Sequence, residues 1–93
     1  MPAVSMEVKT MSDYKLKEFQ SILKYLPAMG LSITTVAKKL NISVSTLYNY
    51  RNGLAPKAEK YSYILSSLFS YYPEEMNKIY VLLQYEKELA KGE

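Results

Sequence analysis

The sequence predicts an all-α fold, a compact five-helix domain that ends in one long helix. Three observations carry this expectation. Apolar residues recur at three- and four-residue spacing in successive segments, as on the buried face of a helix. Residues that start helices precede these segments: Ser12 with Asp13, Ser32 or Thr34, Ser43, and Pro73 with Glu74 and Glu75. Residues that end helices follow them, namely Pro27, Asn41 and Gly53.

Residues 1–11 show no sustained period and contain Pro2, so they are expected to form a flexible arm with only Lys9 to offer a partner. The first helix follows from Ser12-Asp13 and lays Leu16, Phe19, Ile22, Leu23 and Leu26 on the core. Pro27 stops it, and Ala28-Met29-Gly30 turns the chain.

The stretch GLSITTVAKKLNISVSTLYNYRNG, residues 30–53, carries two short helices crossing at a tight turn. Val36, Ala37 and Leu40 form the apolar stripe of one helix, and Leu47 and Tyr50 that of the other. Ala37 is small enough to let the two approach closely. Asn41 stands where a left-handed residue must end the first helix; glycine is the usual choice there and Asn the next best. Ser43 caps the second helix by accepting a backbone N–H from its first turn. With Leu47 and Tyr50 facing inward, Val44, Ser45, Tyr48, Asn49 and Asn52 are expected on the outer side, the face a recognition helix presents to a major groove.

This segment resembles the helix-turn-helix of the phage repressor and Cro family of transcription regulators, the XRE type, without a gap from Gly30 to Gly53. Pro56 followed by Tyr61, Ile64, Leu65 and Leu68 is similar to that family's fourth helix, so the resemblance covers about two-thirds of the chain. Ala37, Asn41, Leu47, Tyr50, the Arg51-Asn52-Gly53 ending and Pro56 carry it jointly. The chain departs from the family at Ile33, where Gln is common, and at Val44 and Ser45, where Gln or Arg is common. The resemblance implies a lambda repressor-like fold and DNA binding, and it assigns a phosphate contact to Asn52.

After Pro56 the fourth helix opens with Lys57 and Lys60 in its first turn, a place unfavourable for cations unless an anion is bound. Its core side is expected to comprise Tyr61, Ile64, Leu65, Leu68, Phe69 and Tyr72. The last helix starts at Pro73 and should run to about Ala90, roughly 25 Å. Its apolar residues include Met76, Ile79, Tyr80, Leu82, Leu83 and Leu89, a strip wider than one small core covers. Ile79, Tyr80, Leu82 and Leu83 are therefore assigned to an interface with a second copy, with packing on the chain's own core as the competing expectation. The chain divides into an arm (1–11), a DNA-binding domain (12–72, helix-turn-helix 32–52) and a C-terminal helix (73–93).

Composition restricts function. Ninety-three residues allow one small domain. Cysteine and histidine are both absent, which removes the commonest nucleophiles, general bases and transition-metal ligands, so neither an enzyme nor a metal or cofactor site is expected. No run reaches the ~20 apolar residues of a membrane span. The lack of a secretory leader and of disulfides points to the cytoplasm.

The net charge of +3 is unevenly spread. Residues 14–72 carry eight basic groups against Glu18 and Glu59, whereas residues 73–93 are net acidic. Positive charge thus gathers on the part that resembles a DNA reader.

The expected function is sequence-specific binding of double-stranded DNA as a dimeric repressor of phage, plasmid or bacterial origin, on an inverted repeat. Val44, Ser45, Tyr48 and Asn49 are the candidate base readers, Asn49 because its amide matches the donor and acceptor of adenine. Ser43, Thr46, Asn52, Lys57 and Lys38 are the candidate phosphate contacts. The competing expectation is a protein-interaction module, such as an anti-repressor or the partner of another regulator. It would use Val44, Tyr48 and Ile33 as an apolar patch.

Overall fold

The computed structural model describes residues 13–92, which form five α-helices and no strand. Helix α1 spans Asp13–Tyr25, α2 Ile33–Leu40, α3 Val44–Arg51, α4 Ala58–Tyr71 and α5 Pro73–Gly92. A 3-10 turn, Pro27–Met29, joins α1 to α2. The expected arm with Lys9 and the Ser12 cap lie outside the described residues.

The helices are delimited by local chemistry. Ser32 accepts the Thr35 N–H at 3.1 Å and caps α2; Ser43 does the same for Thr46 and caps α3. Gly30, Asn41 and Gly53 are the only residues with positive φ among those described, and each follows a helical segment. At Asn41 (φ 59°, ψ 46°) the Ile42 N–H reaches back to the Ala37 carbonyl and the Asn41 N–H to that of Lys38. This Schellman arrangement satisfies carbonyls that a helix end leaves open. The same pair of bonds recurs after α3, from Leu54 to Asn49 and from Gly53 to Tyr50.

One core joins all five helices. Phe19, Ile22 and Leu23 of α1 and Leu26 just after it are fully buried, against Val36 and Leu40 of α2, Leu47 of α3, Ile64 and Leu68 of α4, and Met76 and Ile79 of α5. Each such aliphatic side chain contributes about 1.5–3 kcal/mol by leaving water. The Phe19 ring sits at the centre, 5.3 Å from Tyr61 edge-on and 6.0 Å from Tyr50. Helix α1 packs on both α3 and α5, and α2 packs on α3, so the two short helices rest on a rigid base.

Three expectations are corrected. Phe69 does not enter the core; it is 41% exposed and stacks on Tyr80 at 5.5 Å. It neighbours the buried Leu68 in sequence, which turns it about 100° away around the helix. Ile79 and Leu83, assigned to a second copy, are buried inside the chain, because α1 and α4 both pack on α5. The large apolar residues that α5 exposes are instead Val81, Leu82, Tyr85 and Leu89. Helix α5 is also longer than expected, twenty residues and so about 30 Å. Its distal half is fastened to α1 where the Lys87 ammonium meets Glu18 at 3.6 Å and the Tyr25 hydroxyl donates to the Glu86 carboxylate.

Candidate nucleic-acid interface

Helices α2 and α3 begin with the same device. In Ser32-Ile33-Thr34-Thr35 and in Ser43-Val44-Ser45-Thr46, the serine Oγ accepts the N–H of the threonine and donates to its Oγ1, at 2.8 Å in α2 and 2.6 Å in α3. Both hydroxyls of the α3 cap are thereby oriented. The Ser43 proton is engaged with Thr46, which leaves the Thr46 proton for an outside acceptor.

Burial of Leu47 and Tyr50 fixes the rotation of α3. Ser45, Tyr48, Asn49 and Asn52 are exposed on its outer side, and the Asn49 side-chain amide makes no hydrogen bond among the described residues. Asn52 follows α3 directly, its N–H bonded to the Tyr48 carbonyl at 2.9 Å. Val44 departs from the expectation. It is half-buried and packs on the core, because it lies three residues before Leu47 and so shares its face. Ile33, weighed as part of an apolar surface patch, is buried at 3% exposure.

Basic residues stand at the ends of three helices. Lys38 and Lys39 are exposed in the last turn of α2, where cations suit the helix dipole. Lys57 occupies the cap position of α4 in extended conformation without a side-chain cap bond, and Lys60 stands in the first turn. Three cations lie over exposed tyrosine rings: Arg51 over Tyr48 at 4.6 Å, Lys39 over Tyr71 at 4.9 Å and Lys60 over Tyr63 at 6.0 Å. Sequence reasoning missed Arg51 as a site residue. The signal was its three-residue spacing from Tyr48, which sets a side chain one turn away on the same helix face.

The outer face of α3 presents the hydroxyl of Ser45, the ring and hydroxyl of Tyr48 and the amides of Asn49 and Asn52, with the Arg51 cation over the Tyr48 ring. No helix among the described residues is long and apolar enough to cross a membrane.

Comparison with curated proteins and with solved structures gave no match. The helix-turn-helix family model, in contrast, matches residues 22–75, more than half of the chain, from the last turn of α1 into the first turn of α5. The match contains both helices of the motif, their caps and the turn at Asn41. The chain belongs to the XRE-type, Cro- and C1-like helix-turn-helix family, whose members are DNA-binding transcription regulators.

Proposed function

We propose that this chain is a sequence-specific repressor that binds an inverted repeat in double-stranded DNA as a homodimer, in the cytoplasm, as part of a phage, plasmid or bacterial control circuit. The observation that carries the reading is the outer face of α3. Asn49 is exposed there with its amide uncommitted among the described residues, on the same helix as exposed Ser45 and Tyr48, with the Arg51 cation over the Tyr48 ring. With α3 in the major groove, Asn49 donates to and accepts from the edge of one adenine, and Ser45 hydrogen-bonds a neighbouring base. Ser43, Thr46, Asn52, Lys57 and Lys38 hold the flanking phosphates and so set the register.

The dimer forms through α5. Leu82, Tyr85 and Leu89 are exposed at intervals of three and four residues, a seam that a second helix of the same kind fills, with Val81 at its side. Two α3 helices then address half-sites about 34–36 Å apart. Occupancy of the operator blocks other proteins from that DNA.

The reading is tested by selecting bound duplexes from a random library at low and moderate salt, with a scrambled duplex as control. An enriched inverted repeat is expected, with an adenine whose replacement is tolerated by Asn49→Ala but not by the unaltered protein. Binding should fall steeply with salt as several phosphate contacts are lost. No enrichment, with negligible binding even at low salt, overturns it. The second reading, a protein-interaction module, is favoured by the first turn of α3, Val44-Ser45-Thr46-Leu47, which carries no long polar side chain, but the packing of Val44 and Ile33 on the core withdraws two of the three residues of its apolar patch. That reading requires a protein ligand for Tyr48 and no operator.

A further inference from the structure

We infer that Arg51 is a phosphate clamp at the C-terminal end of α3, and that Tyr48 is the residue that positions it. The inference rests on the DNA-binding reading above and adds to it a contact not among the candidates read from the sequence. The Arg51 guanidinium lies 4.6 Å from the centroid of the Tyr48 ring. A guanidinium held over a ring is attracted by the ring's face without spending its N–H donors, and the Arg51 side chain donates to no residue among those described. A planar fork of this kind matches the oxygens of a phosphodiester.

Charge distribution gives the fork no internal destination. Between Glu18 and Glu59 the sequence contains no carboxylate at all, and Arg51 makes no ion pair among the described residues. Its place on the helix selects phosphate over base. Recognition helices of this architecture read base edges with their N-terminal residues. Arg51 ends α3, six residues beyond Ser45 and so about 9 Å further along the axis, at the wall of the groove. Tyr48 holds the long side chain in one orientation before DNA arrives, so less rotamer freedom is lost on binding. In this arrangement the ring of Tyr48, and not its hydroxyl, is the part that matters.

The test uses the duplex recovered by selection and a scrambled duplex, with affinities measured over a range of salt. Arg51→Gln keeps the stem and removes the charge. It is expected to weaken binding to both duplexes by the same factor, roughly tenfold. It should also make the slope of log K against log salt shallower by about 0.9. Arg51→Lys keeps the slope and loses part of the affinity. Tyr48→Phe keeps the ring and weakens binding less than Tyr48→Leu does, and Tyr48→Leu weakens it several-fold with the slope retained. An unchanged slope in Arg51→Gln shows a cation that serves only the helix end and overturns the clamp. A loss confined to one base pair shows base reading and overturns it too. A loss in Tyr48→Phe equal to that in Tyr48→Leu assigns the effect to the hydroxyl and overturns the positioning role. Binding by the unaltered protein checks the underlying reading separately, and its failure on every duplex overturns both.

Discussion

The phenolic hydroxyl of Tyr63 donates a 2.7 Å hydrogen bond to the backbone carbonyl of Leu40. Leu40 is the last residue of α2, and carbonyls in a helix's final turn have no partner within the helix. Tyr63 stands on α4, 23 residues later, so the bond fastens the tight turn of the motif to the helix behind it. Tyr63→Phe keeps the ring and removes the donor. The expected cost is about 1 kcal/mol. For a domain of this size that lowers Tm by roughly 4–8 °C. Urea unfolding should show a lower midpoint at unchanged slope; an unchanged midpoint would show that water serves Leu40 equally well.

Asn41 and Gly53 carry the backbone reversals that end α2 and α3, and they respond differently to substitution. At Gly53 an added Cβ would meet only the Gln20 side-chain amide at 3.5 Å, an ordinary contact. The cost of Gly53→Ala therefore comes from φ of 122°, where L-residues are strained, and is expected to be about 1–2 kcal/mol. Asn41 already tolerates φ of 59°, so Asn41→Gly relieves a small strain and leaves stability within about 1 kcal/mol of the original. Asn41→Val should destabilise clearly, because a β-branched residue at positive φ is an outlier. Thermal melts of the three variants, ranked Gly at 41 above Ala at 53 and Val at 41, check the argument.

The parts of this fold written in local chemistry were legible in the sequence. Ser43 announces a cap because its hydroxyl acts within three residues, and Asn41 announces a helix end because few side chains accept its backbone angles. The stripes Val36-Ala37-Leu40 and Leu47-Tyr50 were readable because period fixes the buried face of each short helix. What period does not fix is the covering partner. Ile79 and Leu83 are apolar at helical spacing whether the chain's own helices or a second copy lie over them, and only the long-range packing of α1 and α4 on α5 decides it. Val44 and Phe69 lie at the margins of their apolar arcs, where neighbouring elements determine burial. Arg51 was visible as a spacing, but its place over the Tyr48 ring is a choice of rotamer that spacing does not record.

Tyr80, Tyr61 and Tyr72 should make the fold sensitive to alkali. Burial raises the pKa of each phenol above its ordinary value of 10.0, and the Glu18 carboxylate raises Tyr61 and Tyr80 further. Above pH 10 the unfolded chain gives up these protons while the folded chain keeps them. The unfolded state then binds fewer protons, so stability is full below pH 10 and declines as pH rises toward the raised folded values. Circular dichroism and tyrosinate absorbance, followed together through alkaline titration, should show the fold weakening before these three phenols ionise in the folded state. Tyr80→Phe removes one of them and is expected to make the decline shallower. An equal slope in Tyr80→Phe would exclude Tyr80 from the transition.

The α5 seam makes a prediction that separates association from folding. Tyr85 is 62% exposed and Leu83 5%, although they lie two residues apart on one helix. Tyr85→Glu places a charge on a surface that the isolated chain leaves in water, so its effect on unfolding of the monomer should stay within about 0.5 kcal/mol. The same charge opposes a second apolar helix, and next to Glu86 and Glu88 it adds like-charge repulsion across a two-fold axis. Sedimentation equilibrium should therefore find a dimer for the unaltered chain and a monomer for Tyr85→Glu, and binding of the variant to an inverted repeat should lose its cooperativity while a single half-site keeps its affinity. Leu83→Ala is expected to do the reverse. It empties space between α5 and α1, costs about 2–5 kcal/mol of folding stability, and leaves the exposed seam in place. If Tyr85→Glu sediments as the unaltered chain does over the same concentrations, α5 is not the surface through which two copies meet.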